Sequence, residues 1–400
     1  MVGRARFAVA LLFFSNGLAL STWIPRLVDV QTGLAISDGT LGVVLAMGAV
    51  GGILFGPFAG RAALRWGSGR VAWVSLLLLA PLSPLIAVMP NAWSLALLLA
   101  WLGGMDAVMD AAMNAQSIRV QKHYSTSILN GFHGYWSLGT VIGGAIGAGS
   151  ALIGAPLLLT LALTATIPTA AAIVSARWVL AAPDPDTHLV EVPSTADPSS
   201  FAPRVRFIAL TPVTLLLGIF TVLAVIVEDV PARWSSVYLT SIDVSDQYVG
   251  IAFVAFTLAM MIGRFTGDRL VDRFGEIMVV RTSMIAAAIA LILGLLSASL
   301  VGFTLACVVT GFGTATLFPA AMRAAAHLPG IRPASGVAVV SWLARSAYFI
   351  APLVVGFVAD AAGPAWGIAC AAVAAAIAVP LAAILRWGSS PSARAANSSG

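Results

Sequence analysis

Hydrophobic positions along this chain run on continuously instead of alternating, in twelve stretches separated by short polar, glycine-bearing or proline-bearing breaks. The stretches cover 7–25, 39–60, 71–89, 92–118, 130–152 and 156–176, then 208–230, 247–266, 280–298, 301–322, 334–357 and 365–385. Each is close to the ~20 residues an α-helix needs to cross the hydrocarbon of a bilayer. A membrane β-barrel would show apolar residues at every second position, and these stretches do not. Lipid offers a backbone no water to bond, so a continuous apolar segment is expected to satisfy itself as a helix. The pattern therefore predicts an all-α membrane protein of twelve transmembrane helices.

The longest polar break divides the pattern in two. Residues 177–206 hold Pro183, Pro185, Pro193, Pro198 and Pro203 among Asp184, Asp186, Glu191 and Asp197, the composition of a flexible linker. The expected organisation is a six-helix half over 1–176, the linker, a second six-helix half over 207–386, and a Ser/Ala-rich disordered tail over 387–400. The halves repeat. Ser37-Asp38-x-x-x-Gly42 returns as Ser245-Asp246-x-x-x-Gly250, and Arg61-x-x-x-Arg65-Trp66-Gly67 returns as Arg269-x-x-x-Arg273-Phe274-Gly275, both at one offset. Arg4 and Arg6 ahead of an apolar run, with Ala19-Leu20-Ser21 behind it, imitate a secretory leader. The repeat requires that segment as the first helix.

Composition agrees with the pattern. The chain is 60% hydrophobic and only 9% charged, against about 25% charged in a soluble domain. Its net charge of +5 is not a nucleic-acid signal, because the basic residues sit in short breaks between spans. One side collects Arg4, Arg6, Arg61, Arg65, Arg70, Arg119, Lys122, Arg264, Arg269, Arg273 and others, and the opposite side only Arg26 and Arg233. That asymmetry orients the first side, with both termini, toward the cytoplasm of a bacterial-type plasma (inner) membrane. Cys307 and Cys370 lie far apart in apolar runs and read as packing residues.

The residues following the second helix of the second half, Gly263-Arg264-Phe265-Thr266-Gly267-Asp268-Arg269-Leu270-Val271-Asp272-Arg273-Phe274-Gly275, resemble the loop signature of the major facilitator superfamily. Met105-Asp106-Ala107-Val108-Met109-Asp110-Ala111-Ala112-Met113-Asn114-Ala115-Gln116, with Gly131-Phe132-His133-Gly134-Tyr135-Trp136-Ser137-Leu138-Gly139, is similar to its bacterial inner-membrane branch akin to the fucose permease. Gly311-Phe312-Gly313 and Phe318-Pro319-Ala320 fit that branch. The resemblance implies two pseudo-symmetric halves that rock about a central solute. It implies a cytoplasmic gate made by Arg61, Arg65, Asp268, Arg269, Asp272 and Arg273. The first half departs from the signature, with Gly60 in place of the acid. Gly139, Gly143 and Gly147 lack the proline, and helix four lacks the basic residue, that drug-proton antiporters of the superfamily usually carry.

Charge inside a span is where chemistry is expected, since each costs about 2.5–3.5 kcal/mol at the bilayer centre. Asp106 and Asp110 share a helical face that Asn114 continues. Two carboxylates so close resist double ionisation, so one is expected to hold a proton, which is what proton coupling needs. The alternative is structural pairing with a buried base. His133 is a candidate relay or a capping histidine. Arg345 either holds an anionic group or balances Asp106 or Glu228. Glu228 is placed at the outer end of helix seven, with Pro231 expected to break the helix just beyond. Asn16 can bond a hydroxyl or join helices. Trp136, Trp342 and Tyr348 are candidates to stack on a solute or simply to pack. No nucleotide-binding loop, metal spacing or nucleophile elbow is present, so no cofactor, metal or enzymatic activity is expected.

These readings converge on a proton-coupled secondary transporter of a small, polar, sugar-like solute, acting as a monomer by alternating access. A proton-antiport exporter of drugs or metabolites is the alternative reading. A non-transporting membrane receptor is a third.

Overall fold

The computed structural model describes residues 2–124, 128–180, 212–328 and 333–388. The linker expected over 177–206 lies outside them from residue 181 on, as does the expected tail from residue 389. Every regular element among the described residues is helical. The helices are α1 (Val2–Ser21), α2 (Asp38–Trp66), α3 (Ser68–Leu79), α4 (Ala92–Gln121), α5 (Leu129–Leu152) and α6 (Leu157–Ser175). The second set is α7 (Pro212–Ser241), α8 (Ile251–Phe274), α9 (Glu276–Ser297), α10 (Leu300–Thr314, continued by Leu317–Ala326), α11 (Pro333–Ala362) and α12 (Pro364–Leu381). Among the described residues, eleven segments are long and apolar enough to cross a membrane. The glycine-rich α5, 24 residues long, packs among them as the twelfth.

The repeat seen in the sequence is also a repeat of backbone and packing. Gly67 ends α2 at φ 85° and Gly275 ends α8 at φ 80°, a left-handed turn that glycine adopts without a Cβ penalty. Ala35 and Asp243, which share the same offset, both have positive φ as well. Within the halves, α1 packs on α5 as α7 packs on α11, and α2 on α4 as α8 on α10. A Cβ on Gly103 of α4 would run into the Gly48 carbonyl of α2, and a Cβ on Gly311 of α10 would run into the Phe256 carbonyl of α8. These are equivalent positions making equivalent contacts, so small residues let both helix pairs approach backbone to backbone.

Between the halves, α2 meets α11 and α5 meets α8, the two seams a pseudo-twofold requires. At the end remote from the basic residues, Gly39 and Gly42 of α2 lie against Phe357, Asp360 and Pro352 of α11, and Ser37 donates to Asp360 at 2.9 Å. Pro25, in the short turn Ile24–Arg26 after α1, lies against Gly250 at the head of α8. That turn and the helix Leu27–Leu34 that follows it also touch α7. Arg26 is held there by Asp29, by Ser150 at 2.9 Å and by the Ala155 carbonyl at 3.0 Å.

Three expectations need correction. The helix α7 does not break at Pro231 but runs on to Ser241. A proline removes one ladder bond, and the rest of the ladder carries the helix past it. Glu228 is therefore well inside α7, not at its end. Second, the signature expected as a loop lies on the last turns of α8, which ends only at Phe274. Third, Arg264 and Arg233, placed at opposite membrane faces from the sequence, lie within α8 and α7. Arg264 is ten residues from the end of its helix, about 15 Å at 1.5 Å per residue.

Candidate functional site

The close crossings of α2 with α4 and of α1 with α5 set Asp106 and Asp110 against α1 and α5. The carboxylate of Asp106 accepts a 2.7 Å hydrogen bond from Nδ2 of Asn16 on α1. The other end of the same amide accepts from the indole Nε1 of Trp136 on α5 at 2.8 Å. An indole only donates, so the amide has one orientation here, oxygen to the tryptophan and nitrogen to the carboxylate. Asn16 is 1% exposed, so both of its bonds are made away from water.

The chain of contacts continues across the seam. Arg264 of α8 stands 5.5 Å from the Trp136 ring centroid, donates to Oγ of Ser137 on α5 at 3.0 Å, and lies 3.8 Å from Oε1 of Glu228 on α7. A connected polar path thus runs Asp106, Asn16, Trp136, Arg264, Glu228 through five helices and both halves. Hydropathy did not reveal Arg264, because the apolar run of α8 fades just after it and the helix does not.

Asp110 is served differently. Its carboxylate and its backbone carbonyl accept from Nδ2 of Asn114, one turn on, at 2.9 and 2.8 Å. His133 makes no hydrogen bond to either group. It lies edge-on to Phe13 at 5.2 Å, close enough to feel the charges of Asp110 and Arg264. Arg345 of α11 has neither a hydrogen bond nor an ion pair with any described residue, yet its charge is felt at both Asp106 and Asp110. Its Nη1 is the nearest group to a Cβ built on Gly56 of α2, 4.0 Å away, and is 3.9 Å from one on Gly52. Glu228 is paired with Arg264 and not with Arg345.

On α7, Asp229 is buried and accepts from Nε of Arg233, one turn on. Tyr348 lies among the charges of Glu228, Asp229, Arg233 and Arg264. Trp342 is 63% exposed and takes no part in the cluster. Of the basic-end residues, Arg65 and Arg273 lie over the rings of Trp66 and Phe274, their own neighbours. Asp268, Arg269 and Asp272 are exposed there and make no ion pair with a described residue. Among the described residues no group of His, Cys, Asp or Glu side chains is arranged to hold a metal ion.

The fold that carries this cluster is shared with known proteins. A family model described as the Major Facilitator Superfamily matches residues 230–400. The membrane protein MosC of Rhizobium meliloti is 29% identical over 365 residues, covering 89% of this chain and 84% of that protein. An uncharacterized MFS-type transporter of Yersinia pestis is 26% identical over 355 residues, covering 88% of each. Among solved structures, a variant of the nucleoside transporter NupG superposes with TM-score 0.74 at 13% identity, over 95% of this chain and 98% of that one. A bacterial homolog to the human lysosomal transporter Spinster, inward-facing, superposes with TM-score 0.73 at 15% identity, over 98% and 99%. At such identities the solved structures establish the fold alone.

Proposed function

We propose, from the premise that this chain belongs to the major facilitator superfamily, that it is a proton-coupled secondary transporter moving a small, polar, hydroxyl-bearing solute by alternating access. The observation that carries the reading is the polar path from Asp106 to Glu228, which joins both halves inside the helix bundle. Ionisable groups are costly in a bilayer and are kept where they face a pathway or one another. Here four acids and three arginines gather on α4, α7, α8 and α11, which is more than helix packing needs.

Asp106 and Asp110 are the proton carriers in this account, with His133 beside Asp110. Asn16, Asn114, Trp136, Glu228, Arg345 and Tyr348 line the solute path. The basic end faces the cytoplasm of a bacterial inner membrane, and the seams at the opposite end are the closed gate. The likeness in fold to the nucleoside transporter NupG is compatible with a hydroxylated solute. The test is solute flux into proteoliposomes under an imposed pH gradient. Accumulation driven by the gradient supports symport, and expulsion driven by it turns the assignment to a proton-antiport exporter. Flux indifferent to the gradient removes proton coupling.

A further inference from the structure

The charge cluster is unevenly satisfied. Asp229 has Arg233, Asp106 has Asn16, Asp110 has Asn114, and Arg264 has Ser137 and the Trp136 ring. Arg345 alone among the membrane-embedded charges of the cluster has neither a hydrogen bond nor a carboxylate within 4.0 Å among the described residues, the limit for a salt bridge. A guanidinium carries five N–H donors and no acceptor. The unfilled capacity at the centre of the protein is therefore donor capacity, and what fills it must bring acceptors.

The space beside it is also left open. At Gly52 and Gly56, successive turns of α2 present no side chain toward the guanidinium. A Cβ at Gly56 would have no neighbour nearer than Arg345 Nη1 at 4.0 Å, while one at Gly52 would meet Ala107 and the Gly103 carbonyl of α4 at 3.6 Å and Arg345 Nη1 at 3.9 Å. The neighbouring glycines Gly48 and Gly51 face α4, and a Cβ at Gly51 would collide with the Ala100 carbonyl. Gly52 also packs on α4, so Gly56 is the glycine that helix contact does not explain. At Gly56 the guanidinium is the one neighbour a Cβ would meet within 4.0 Å, which leaves its α2-facing side uncovered by a side chain.

The geometry points to Arg345 as the anchor for a carboxylate on the transported solute, held beside Gly56. The inference rests on the transport reading above and names the substrate class: a hydroxylated organic acid, not a neutral sugar or an amine. A planar guanidinium matches a carboxylate with two parallel hydrogen bonds, which an ammonium does not. Asp106 and Asp110 feel the same guanidinium. While both are ionised they repel an incoming carboxylate. A proton on either one lowers that repulsion, which ties proton loading to solute loading through charge alone.

The test is the thermal unfolding of the purified full-length chain with D-glucuronate, D-glucose or D-glucosamine, three probes that share a ring and differ in charge. A ligand that binds only the folded form raises the unfolding temperature. Glucuronate alone is expected to do so, saturably. Arg345→Gln is expected to weaken its apparent affinity at least tenfold, and Arg345→Lys less than that. Gly56→Ala is expected to weaken binding without lowering the unfolding temperature of the unliganded protein, and it carries the test if Arg345→Gln does not fold. Preference for glucose or glucosamine, an undiminished glucuronate shift in Arg345→Gln, or no shift with any of the three overturns the inference. Binding needs no gradient, so failure here leaves proton-driven flux standing, and failure of that flux leaves this binding result standing.

Discussion

The guanidinium of Arg264 on α8 lies 5.5 Å from the centroid of the Trp136 ring on α5 and so bridges the two halves. In alternating access the halves rotate against each other, and a contact across the α5–α8 seam must be remade or slid in each cycle. A cation over a ring suits that role because the attraction is broad in direction.

Replacing Arg264 tests the bridge. Arg264→Ala removes a cation–ring contact worth about 0.5–2 kcal/mol and an interhelical hydrogen bond worth about 0.6 kcal/mol. A loss of about 1–3 kcal/mol in unfolding free energy is expected, together with loss of solute flux. Glu228→Gln should cost less, because its 3.8 Å approach to Arg264 is longer than a hydrogen bond. A double-mutant cycle on detergent-solubilised protein measures both terms.

Asn16 bonds at both ends, so Asn16→Ala strands two partners, the carboxylate of Asp106 and the indole N–H of Trp136. Unpaired buried groups cost about 1–3 kcal/mol each. Trp136→Phe strands only the amide oxygen and keeps a ring under Arg264. The expected order of destabilisation is therefore Asn16→Ala above Trp136→Phe, readable as unfolding temperatures. The reverse order contradicts the assigned hydrogen bonds.

The matched glycines give a test of the repeat. Gly103→Ala and Gly311→Ala each push a methyl into a carbonyl of the facing helix, and overpacking of this kind costs about 1–3 kcal/mol. Both should destabilise by similar amounts. Gly60→Ala, with nothing within 4 Å, should be neutral or stabilising by up to about 1 kcal/mol of helix propensity.

Much of this organisation was legible in the residues, and the gaps have a physical cause. The paired Gly67 and Gly275 turns could be read from one shared offset, because a left-handed turn demands glycine in both halves. Asp106 and Asp110 stood out because charge in a span needs a reason. Arg264 and the continuation of α7 past Pro231 did not stand out. Hydropathy marks where the bilayer's apolar layer ends, while a helix ends where its hydrogen-bond ladder does, and in α7 and α8 those points are several turns apart. Trp342, a candidate alongside Trp136 to stack on a solute, is 63% exposed. A repeat fixes the backbone position but not the partner a side chain finds.

The far-end closure makes its own prediction. The bond from Ser37 to Asp360, 2.9 Å long, is exposed and contributes little to folding, under about 1 kcal/mol. It does join α2 to α11 across the halves. Asp360→Ala should leave the unfolding temperature nearly unchanged and raise the population with separated far ends. Distances between spin labels on α2 and α11 check this.

The most direct test of the central claim is gradient-driven solute flux in proteoliposomes carrying Asp106→Asn or Asp110→Asn, compared with the unaltered chain. The account predicts that at least one variant still exchanges solute down its own gradient but no longer accumulates it when a pH gradient is imposed. Accumulation equal to that of the unaltered chain in both variants would contradict the assignment of the proton to these two carboxylates.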